Sequence, residues 1–404
     1  MIRRCNGKAR LLPRMSAAHP LAGEESPLTK EQFTAEMLAC LRAALTLRPG
    51  ARAEDIVKFI FQGMLGVGHL LGPVEQMQAR VEHETAEQPS DPEEPLAEPV
   101  SPDWVRLNLR RAKADGLTPR VIARLMLSAP AQTAFTRSDV LRACAEYAAQ
   151  AGQPAVAEAA ERLRDPHWLP SHSDAYRARY RPAYRLIPAE WAPLLPAIAR
   201  IAHAAAGQGR TLVTLDGPCA SGKTTLAERL ASVLDAAVLH TDDFVVPHAQ
   251  KTPERLTVPG GNCDWERLTA EVLAPWKAGG AGLFRRYDCR GDRLRDPEPL
   301  PAQSVLILEG SYCNLPAIRA LADVRLFMAT PEPVRRERLI ARESPGSLAM
   351  FDRRWIPLEN AYFEAYGLPD ENCIVIKIHA VKGKSSSYSR NNERHTFHHS
   401  EGGE

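Results

Sequence analysis

The sequence predicts an α/β fold for its second half, a doubly wound and mostly parallel sheet of five strands, joined to an additional, mainly α-helical N-terminal domain. Three observations support this prediction. After residue 206, short apolar runs alternate with amphipathic helices, which is the pattern of a parallel sheet. A glycine-rich loop joins the first of these runs to a helix. Before residue 206, apolar residues recur at helical spacing, and 404 residues are enough for two domains.

Five apolar runs are the strand candidates of the sheet, within a predicted domain at residues 207–378. Each run is short, apolar and separated from the next by a helical or polar stretch, as in a sheet covered on both faces. The runs are 211–216, 236–241, 304–309, 323–328 and 373–378. Residues 1–29 and 379–404 lack apolar periodicity, and we expect a disordered arm and a disordered tail there.

The predicted helical domain spans residues 30–206. Its first helix is indicated by Phe33, Met37, Leu41 and Leu45, which are four residues apart and therefore share one face. The stretch 82–102 is acidic and rich in proline, so it has little apolar surface to bury and is predicted to be a loop. No known chemistry follows from this half of the sequence.

Tyrosines and arginines alternate in the segment 165–188. Tyr176, Tyr180 and Tyr184 are four residues apart, with arginines between them. These side chains could stack on a base or clamp a phosphate, or they could pack this half against the second; the helical spacing favours packing. His69 and His172 are not at metal-ligand spacing, so each is predicted to be a satisfied, partly buried side chain.

The composition limits the classes of partner. A formal charge of +2, from 51 basic and 49 acidic residues, gives no overall field that would select nucleic acid or an anionic membrane. Eight cysteines form no CxxC pair, no secretion leader is recognisable, and no apolar stretch approaches the ~20 residues of a membrane helix. The sequence therefore predicts a cytoplasmic protein with free thiols, and it leaves open whether the chain forms a homo-oligomer.

The stretch GPCASGKTT at 217–225 matches the pattern of a phosphate-binding loop between a strand and a helix, so it predicts a P-loop fold. Glycines let the backbone amides turn inward around a phosphate at a helix N-terminus, whose dipole favours anions. Lys223 can reach the β- and γ-phosphates, and the Thr224 hydroxyl can bind Mg²⁺. The residues predicted to contact the nucleotide are Gly217, Ala220, Ser221, Gly222, Lys223, Thr224 and Thr225.

Acidic side chains follow three of the predicted strands. Ligands of an open α/β sheet bind beyond the carboxyl ends of its strands, so Asp216, Asp242 and Glu309 should converge on one crevice. Glu309 is predicted to lie beside the magnesium ion, either as a direct ligand or through water. Because successive side chains of a strand point to opposite sides, only one of Asp242 and Asp243 should face the crevice.

A helical stretch at 331–343 places Arg335, Arg338 and Arg342 on one face. Arginines at this position can close over a transferred phosphoryl group and neutralise its charge. The alternative is a solvated basic face.

These elements together resemble the uridine kinase group of P-loop kinases, which is similar to pantothenate kinase and phosphoribulokinase, over about residues 208–378. The resemblance rests on the phosphate loop, the D-x-F of Asp242 to Phe244, the LEG at 308–310 and the arginine helix. It implies that Asp242 is the base that deprotonates the acceptor hydroxyl and also lies at the metal. It further implies that Glu309 is the Walker-type acid and that the lid arginines are Arg338 and Arg342.

Two further stretches resemble acceptor-binding elements of that family. GGNCDWERL at 260–268 resembles the N-x-D element and makes Asp264 a candidate for holding acceptor hydroxyls. RRYDC at 285–289 resembles the Y-D element and makes Tyr287 a candidate for stacking on a base. The sequence departs from the family where CRGDR lacks a histidine found in nucleoside-specific members, and where ESPGS replaces a second arginine pair.

The resulting prediction is a kinase that uses ATP and Mg²⁺ to phosphorylate a hydroxyl of a small molecule. A nucleoside such as uridine or cytidine is the first expectation for this acceptor, and no membrane or nucleic acid is expected as a partner. The alternatives are a kinase for pantothenate or another non-nucleoside alcohol, and a P-loop ATPase or nucleotide switch whose effector is the helical half.

Overall fold

The structure, a computed structural model, describes residues 28–67, 72–86, 88–130, 133–207, 209–289 and 291–377. The predicted arm at 1–29, apart from its last two residues, lies outside the described residues. The predicted tail at 379–404 and His69 lie outside them as well.

The first half contains nine α-helices among its described residues and also a small sheet that we did not predict. The helices are α1 (Lys30–Leu47), α2 (Ala53–Leu65), α3 (Val74–Ala86), α4 (Leu109–Ala114), α5 (Pro119–Leu127), α6 (Arg137–Ala151), α7 (Pro154–Ala160), α8 (Asp174–Tyr180) and α9 (Leu195–Gly207). The antiparallel sheet, in the order β1-β2-β3, consists of β1 (Ala97–Pro99), β2 (Trp104–Asn108) and β3 (Tyr184–Pro188).

Helix α1 begins where the sequence supplies a reciprocal cap. The Thr29 hydroxyl accepts from the backbone N–H of Gln32, and the Gln32 side chain accepts from the backbone N–H of Thr29. This capping box satisfies two amide groups that have no partner within the helix. Phe33, Met37 and Leu41 then bury the predicted apolar face.

The prediction that 82–102 is a loop is wrong at both of its ends. Residues 82–86 complete α3, because Val81 and Thr85 lie on its buried face. Residues 97–99 form β1, and the following Val100 is fully buried. Proline is tolerated here because β1 is an edge strand, where the residue needs no ladder donor.

The prediction that Tyr176, Tyr180 and Tyr184 share one helix face and pack against the second half is also wrong. Helix α8 ends at Tyr180, and Tyr184 begins β3, so the three do not form one helical stripe. Tyr180 accepts from the backbone N–H of Gly50, and Tyr184 bonds Gln62 and His172. These contacts lie within the first half and do not reach the second.

The predicted five-stranded parallel sheet of the second half is confirmed. Its order is β12-β11-β4-β10-β5, and every neighbouring pair is parallel. Each described strand begins and ends within one residue of its prediction. The strands are β4 (Thr211–Asp216), β5 (Ala236–His240), β10 (Val305–Glu309), β11 (Val324–Ala329) and β12 (Cys373–Lys377).

The connections of the second half carry the remaining helices and two short hairpins. The hairpin strands are β6 (Leu283–Phe284), β7 (Tyr287–Asp288), β8 (Arg293–Leu294) and β9 (Glu298–Pro299). The helices are α10 (Lys223–Leu234), α11 (Pro253–Thr257), α12 (Trp265–Arg267), α13 (Ala274–Lys277), α14 (Pro316–Arg319), α15 (Glu332–Arg342), α16 (Pro345–Met350) and α17 (Ile356–Tyr366). Among the described residues, none of the helices in either half is long and apolar enough to cross a bilayer.

Apolar cores cover both faces of the parallel sheet. On one face, Val213 and Ile307 share a core with Ile122 of α5 and Ile198 of α9, which belong to the first half. The opposite face packs against Phe244 and other residues of the second half. A separate core lies among α1, α2, α6 and α7. The division of the chain near residue 206 therefore stays a prediction, because one apolar core extends across that point.

Candidate active site

The phosphate loop connects β4 to α10 in the strained backbone that its glycines allow. Gly217 has φ +143° and Gly222 has φ +100°. A Cβ at Gly217 would lie 2.6 Å from the backbone oxygen of Met328 in β11. The loop is therefore held tightly against the neighbouring strand, and only glycine fits at its first position.

Lys223 is buried at the first position of α10, directly after the loop. Its Nζ donates to the backbone oxygens of Gly217 (2.7 Å) and Pro218 (3.0 Å). The ammonium group is thus held across the loop. Ser221 Oγ is buried and has no hydrogen-bond partner in the described part of the chain. Thr224 and Thr225 are exposed in the first turn of α10, where the backbone amides of a helix favour an anion.

Glu309, at the end of β10, lies beside the phosphate loop. Its Oε1 accepts from Thr224 Oγ1 at 2.9 Å and from His240 Nδ1 at 2.5 Å. The contact follows from the sheet order, since β10 lies between β4 and β5. Hydrogen bonding to Glu309 raises the pKa of His240 above its ordinary value, against the effect of burial. Sequence reasoning assigned no role to His240, although it lies two residues before Asp242.

The neighbouring acids Asp242 and Asp243 lie in a turn and not on a strand. β5 ends at His240, and Thr241–Phe244 forms one 3₁₀ turn with Thr241 and Phe244 buried. Asp243 pairs with Arg286 at 2.5 Å. Asp242 remains exposed to solvent. The acids are therefore unequal, but the predicted reason, alternation along a strand, is wrong because the strand has already ended.

Asp242 occupies a recessed position that water can still reach. Its accessible area is that of an exposed residue, yet many protein atoms surround it. This burial is the largest cause of a raised pKa of the Asp242 carboxyl, and the negative charge of Glu309 is the second largest. The positive charge of Lys223 opposes the shift. A carboxylate with a raised pKa in an open crevice is suited to accept a proton.

Gly310 brings the loop after β10 against this turn. Its φ is +129°, and a Cβ there would lie 2.0 Å from Thr241 Oγ1. Thr241 Oγ1 in turn donates to the backbone oxygen of Ser311 at 2.9 Å. The glycine of the LEG stretch is thus required for a close approach between the loops that carry Glu309 and Asp242.

The arginine helix α15 contacts the phosphate loop through two of its three predicted arginines. Arg338 Nη1 donates to the backbone oxygens of Ser221 (2.9 Å) and Ala220 (3.2 Å), and Arg335 Nη1 donates to that of Cys219 (3.4 Å). Arg342 instead pairs with Glu343 at 2.7 Å, and its side chain is 59% exposed. The structure therefore brings Arg335 and Arg338 to the loop but not Arg342.

The two predicted acceptor-binding residues are engaged within the protein. Asp264 caps α12 and pairs with Arg267 at 2.9 Å, while its backbone N–H donates to the oxygen of Phe244. It therefore lies next to the turn that carries Asp242. Tyr287 is only 3% exposed, and its hydroxyl donates to Asp292. Its ring is covered in this structure and does not present a surface for a base.

Helix α17 supplies two functional contacts that sequence reasoning missed. Glu359 accepts from the backbone N–H of Cys219 in the phosphate loop (2.9 Å) and from Ser311 Oγ (2.5 Å). Tyr362 donates to Asp216 at 2.7 Å. Burial, opposed by this hydrogen bond, raises the pKa of Asp216 to about 6. No sequence motif indicates these contacts, because each joins two residues that are more than 130 positions apart in the chain.

The donor set beside the phosphate loop fits a hard cation such as Mg²⁺. Thr224, Glu309 and Asp242 offer a hydroxyl and carboxylate oxygens, the ligand type that Mg²⁺ prefers. Within the described ranges, no group of three His, Cys, Asp or Glu side chains forms a metal cage.

Comparisons with known proteins identify no family for this chain. No protein-family model matches the sequence, and no curated protein matches it. A possible uridine kinase from Bacillus stearothermophilus is 21% identical, covers 45% of this chain and 99% of its own, and gives a TM-score of 0.33. A protein described as a fructose transport system kinase from Silicibacter sp. TM1040 is 22% identical, covers 42% and 90%, and gives 0.34. Similarities of this size identify no activity for this chain.

Proposed function

We propose that this protein transfers the γ-phosphoryl group of ATP to a hydroxyl of a small molecule. The observation that carries the proposal is the hydrogen bond between Thr224 of the phosphate loop and Glu309 at the end of β10. Asp242 lies in the turn that follows β5, the strand next to β10. The phosphate loop that we propose as the nucleotide site and a carboxylate of raised pKa, open to solvent, are thus neighbours at one edge of the sheet.

The nucleotide phosphates are held by the loop from Gly217 to Gly222 and by the amides that open α10. Lys223 turns its ammonium toward the β- and γ-phosphates when they displace its contacts with the loop oxygens. Thr224 and Glu309 would hold Mg²⁺, which neutralises phosphate charge when bound. Arg338, fixed against the loop by two backbone oxygens, adds positive charge beside the loop.

Asp242 is the proposed general base. It takes the proton of the acceptor hydroxyl as the acceptor oxygen forms its bond to the γ-phosphorus, and the bond to the β–γ bridging oxygen breaks to release ADP. The raised pKa of Asp242 makes it a better proton acceptor than an ordinary carboxylate. Asp243, paired with Arg286, is instead proposed to fix the turn.

A nucleoside such as uridine or cytidine is the first acceptor that we propose, on the resemblance of residues 208–378 to the uridine kinase group. Asp264, next to the Asp242 turn, is the proposed contact for acceptor hydroxyls. The burial of Tyr287 argues against base stacking at that residue. This favours testing pantothenate and other non-nucleoside alcohols beside the nucleosides.

A second candidate function is a nucleotide-dependent switch in which the first half is the effector. It is favoured by the contacts of α10, the helix that follows the phosphate loop. Arg229 of α10 pairs with Glu190 at 3.0 Å and lies over the ring of Trp191, and Asp235 pairs with Arg120 and Arg124. Movement of α10 on nucleotide binding would therefore reach the first half directly.

An acceptor screen separates the two candidates. The full chain is incubated with γ-labelled ATP, Mg²⁺ and uridine, cytidine, other nucleosides or pantothenate, and both labelled product and inorganic phosphate are measured. The kinase proposal expects label on at least one alcohol and little phosphate release without it. ATP hydrolysis that is the same with and without every alcohol, and no labelled alcohol, would support the switch.

A further inference from the structure

The segment that follows the Asp242 turn folds back onto the hairpin of β7 and β8. β7 packs against the turn itself. The backbone N–H of His248 donates to Asp292 Oδ1 at 3.0 Å, and the Tyr287 hydroxyl donates to the same carboxylate. The backbone N–H of Lys251 then donates to the oxygen of His248 at 3.1 Å. These bonds fix Lys251 beside the hairpin that contacts the Asp242 turn.

Lys251 is a partly buried cation whose ammonium group is available to a ligand. Its Nζ makes no hydrogen bond or ion pair within the ranges that the structure describes. Burial is the largest cause of a lowered pKa of Lys251, and the positive charge of Arg354 lowers it further, against the charges of Cys289 and Asp292. Asp292, the acid of this group, already accepts the two hydrogen bonds given above.

Arg354 is a second partly buried cation, and it belongs to the turn Phe351–Trp355 that joins α16 to α17. Its guanidinium lies over the ring of Trp355 at 5.1 Å and makes no hydrogen bond or ion pair in the described part of the chain. The turn is tied to α15 by the pair of Arg336 with Asp352. Because α15 and α17 both contact the phosphate loop, Arg354 is held between two elements of the candidate active site.

Cys289 connects these cations to the proposed general base. It directly follows β7. Burial is the largest cause of a raised pKa of the Cys289 thiol, while the charge of Lys251 lowers it and the charge of Asp242 raises it. Lys251 and Asp242 are therefore both near this thiol. A ligand whose hydroxyl lies at Asp242 can thus extend a second group toward Lys251 and Arg354.

We propose that the acceptor carries an anionic group, a carboxylate or a phosphate monoester, which Lys251 and Arg354 bind while the acceptor hydroxyl lies at Asp242. This inference rests on the proposed kinase function. Charge-assisted hydrogen bonds from lysine and arginine to such anions are strong. Two neighbouring cations repel each other, so an anion shared between them is favourable for both. A neutral nucleoside such as uridine would leave both cations without an acceptor, and an anionic alcohol should therefore be preferred.

Matched pairs of alcohols test the proposal. The two members of each pair share hydroxyl groups and differ chiefly in charge: uridine and orotidine, panthenol and pantothenate, and ribose and ribose 5-phosphate. Binding of each to the full chain, saturated with Mg²⁺ and a non-hydrolysable ATP analogue, is measured by calorimetry. Transfer of label from γ-labelled ATP is measured separately. We expect at least one anionic member to bind at least about tenfold more tightly than its neutral partner.

Two variants assign this preference to the proposed residues. Lys251→Gln and Arg354→Gln should each weaken binding of the anionic member at least about fivefold, while affinity for the ATP analogue stays within about twofold. In transfer, both should raise the KM for the anionic acceptor more than they lower kcat. Arg353→Gln is the matched control, because Arg353 is exposed next to Arg354 and donates to the backbone oxygen of Ala349. It should change neither quantity.

Two results would overturn the proposal. One is that no anionic member binds more tightly than its neutral partner, and the other is a preference for the anion that both variants retain. Nucleotide binding reports that a variant is folded, and if one variant fails this check, the other decides. Label on neutral alcohols alone would support the kinase function and refute the anionic acceptor. Anion binding that depends on Lys251 and Arg354, with no label on any alcohol, would refute the kinase function and support the anion site.

Discussion

Glu359→Ala should weaken nucleotide binding, although the two hydrogen-bond partners of Glu359 are not among the residues predicted to bind the nucleotide. The change removes the acceptor of two hydrogen bonds, one from the backbone N–H of Cys219 in the phosphate loop and one from Ser311 Oγ. Hydrogen bonds to a charged group contribute roughly 1.5–3 kcal/mol each. Because water can replace part of this, we expect a loss of about 1.5–3 kcal/mol in nucleotide binding, or roughly tenfold to a hundredfold in affinity.

Glu359→Gln is the matched control for this change. Its amide oxygen can accept from Cys219 N–H, and its amide nitrogen can donate to Ser311 Oγ, so the shape of the contact is kept while the charge is lost. Titration with a fluorescent ATP analogue measures both variants, and circular dichroism checks that they are folded. A folded Glu359→Ala chain that binds the nucleotide within twofold of the natural chain would refute the role of α17 in holding the loop.

Three other predictions concern the same site. Gly310→Ala should lower the free energy of unfolding by at least about 2 kcal/mol in chemical denaturation, because its φ is +129° and Thr241 blocks a Cβ, whereas Gly346→Ala, with open space, should not. Arg338→Gln should slow phosphoryl transfer much more than Arg342→Gln, and the reverse order in a kinetic assay would contradict the placement of α15. The free energy of unfolding should be measured from pH 4 to pH 7 for the natural chain and for Asp216→Asn. The natural chain should lose about 2–3 kcal/mol more than the variant over this range, because a carboxyl whose pKa is raised by folding stabilises the folded state only while it is protonated. A difference between the two chains that does not change with pH would contradict the burial of this acid.

The parallel sheet and the phosphate loop could be predicted because their signals are local. Each strand is a short apolar run, and Gly217 to Thr224 form one continuous motif. The expectation that Glu309 lies near the phosphate loop rested on a general property of open sheets, that the carboxyl ends of parallel strands meet at one edge.

The errors arise where the outcome depends on distant partners. The acidic composition of 82–102 did not reveal that Val100, within this stretch, and Val81, directly before it, are buried in the core. Nothing near Glu359 indicates that it reaches back to Cys219, 140 residues earlier. Arg335 and Arg342 share a helix face with Arg338, and only the packed position of α15 decides which of them reach the loop.

The most direct test of the proposed chemistry compares Asp242→Asn with Asp243→Asn in transfer of the γ-phosphoryl group to the acceptor found by the screen. A general base contributes roughly a hundredfold to ten-thousandfold to the rate. Asp242→Asn should therefore lose at least about a hundredfold while still binding ATP, and Asp243→Asn should keep most of its rate. Equal losses in the two variants, or an Asp242→Asn chain that transfers phosphate at the natural rate, would contradict the account.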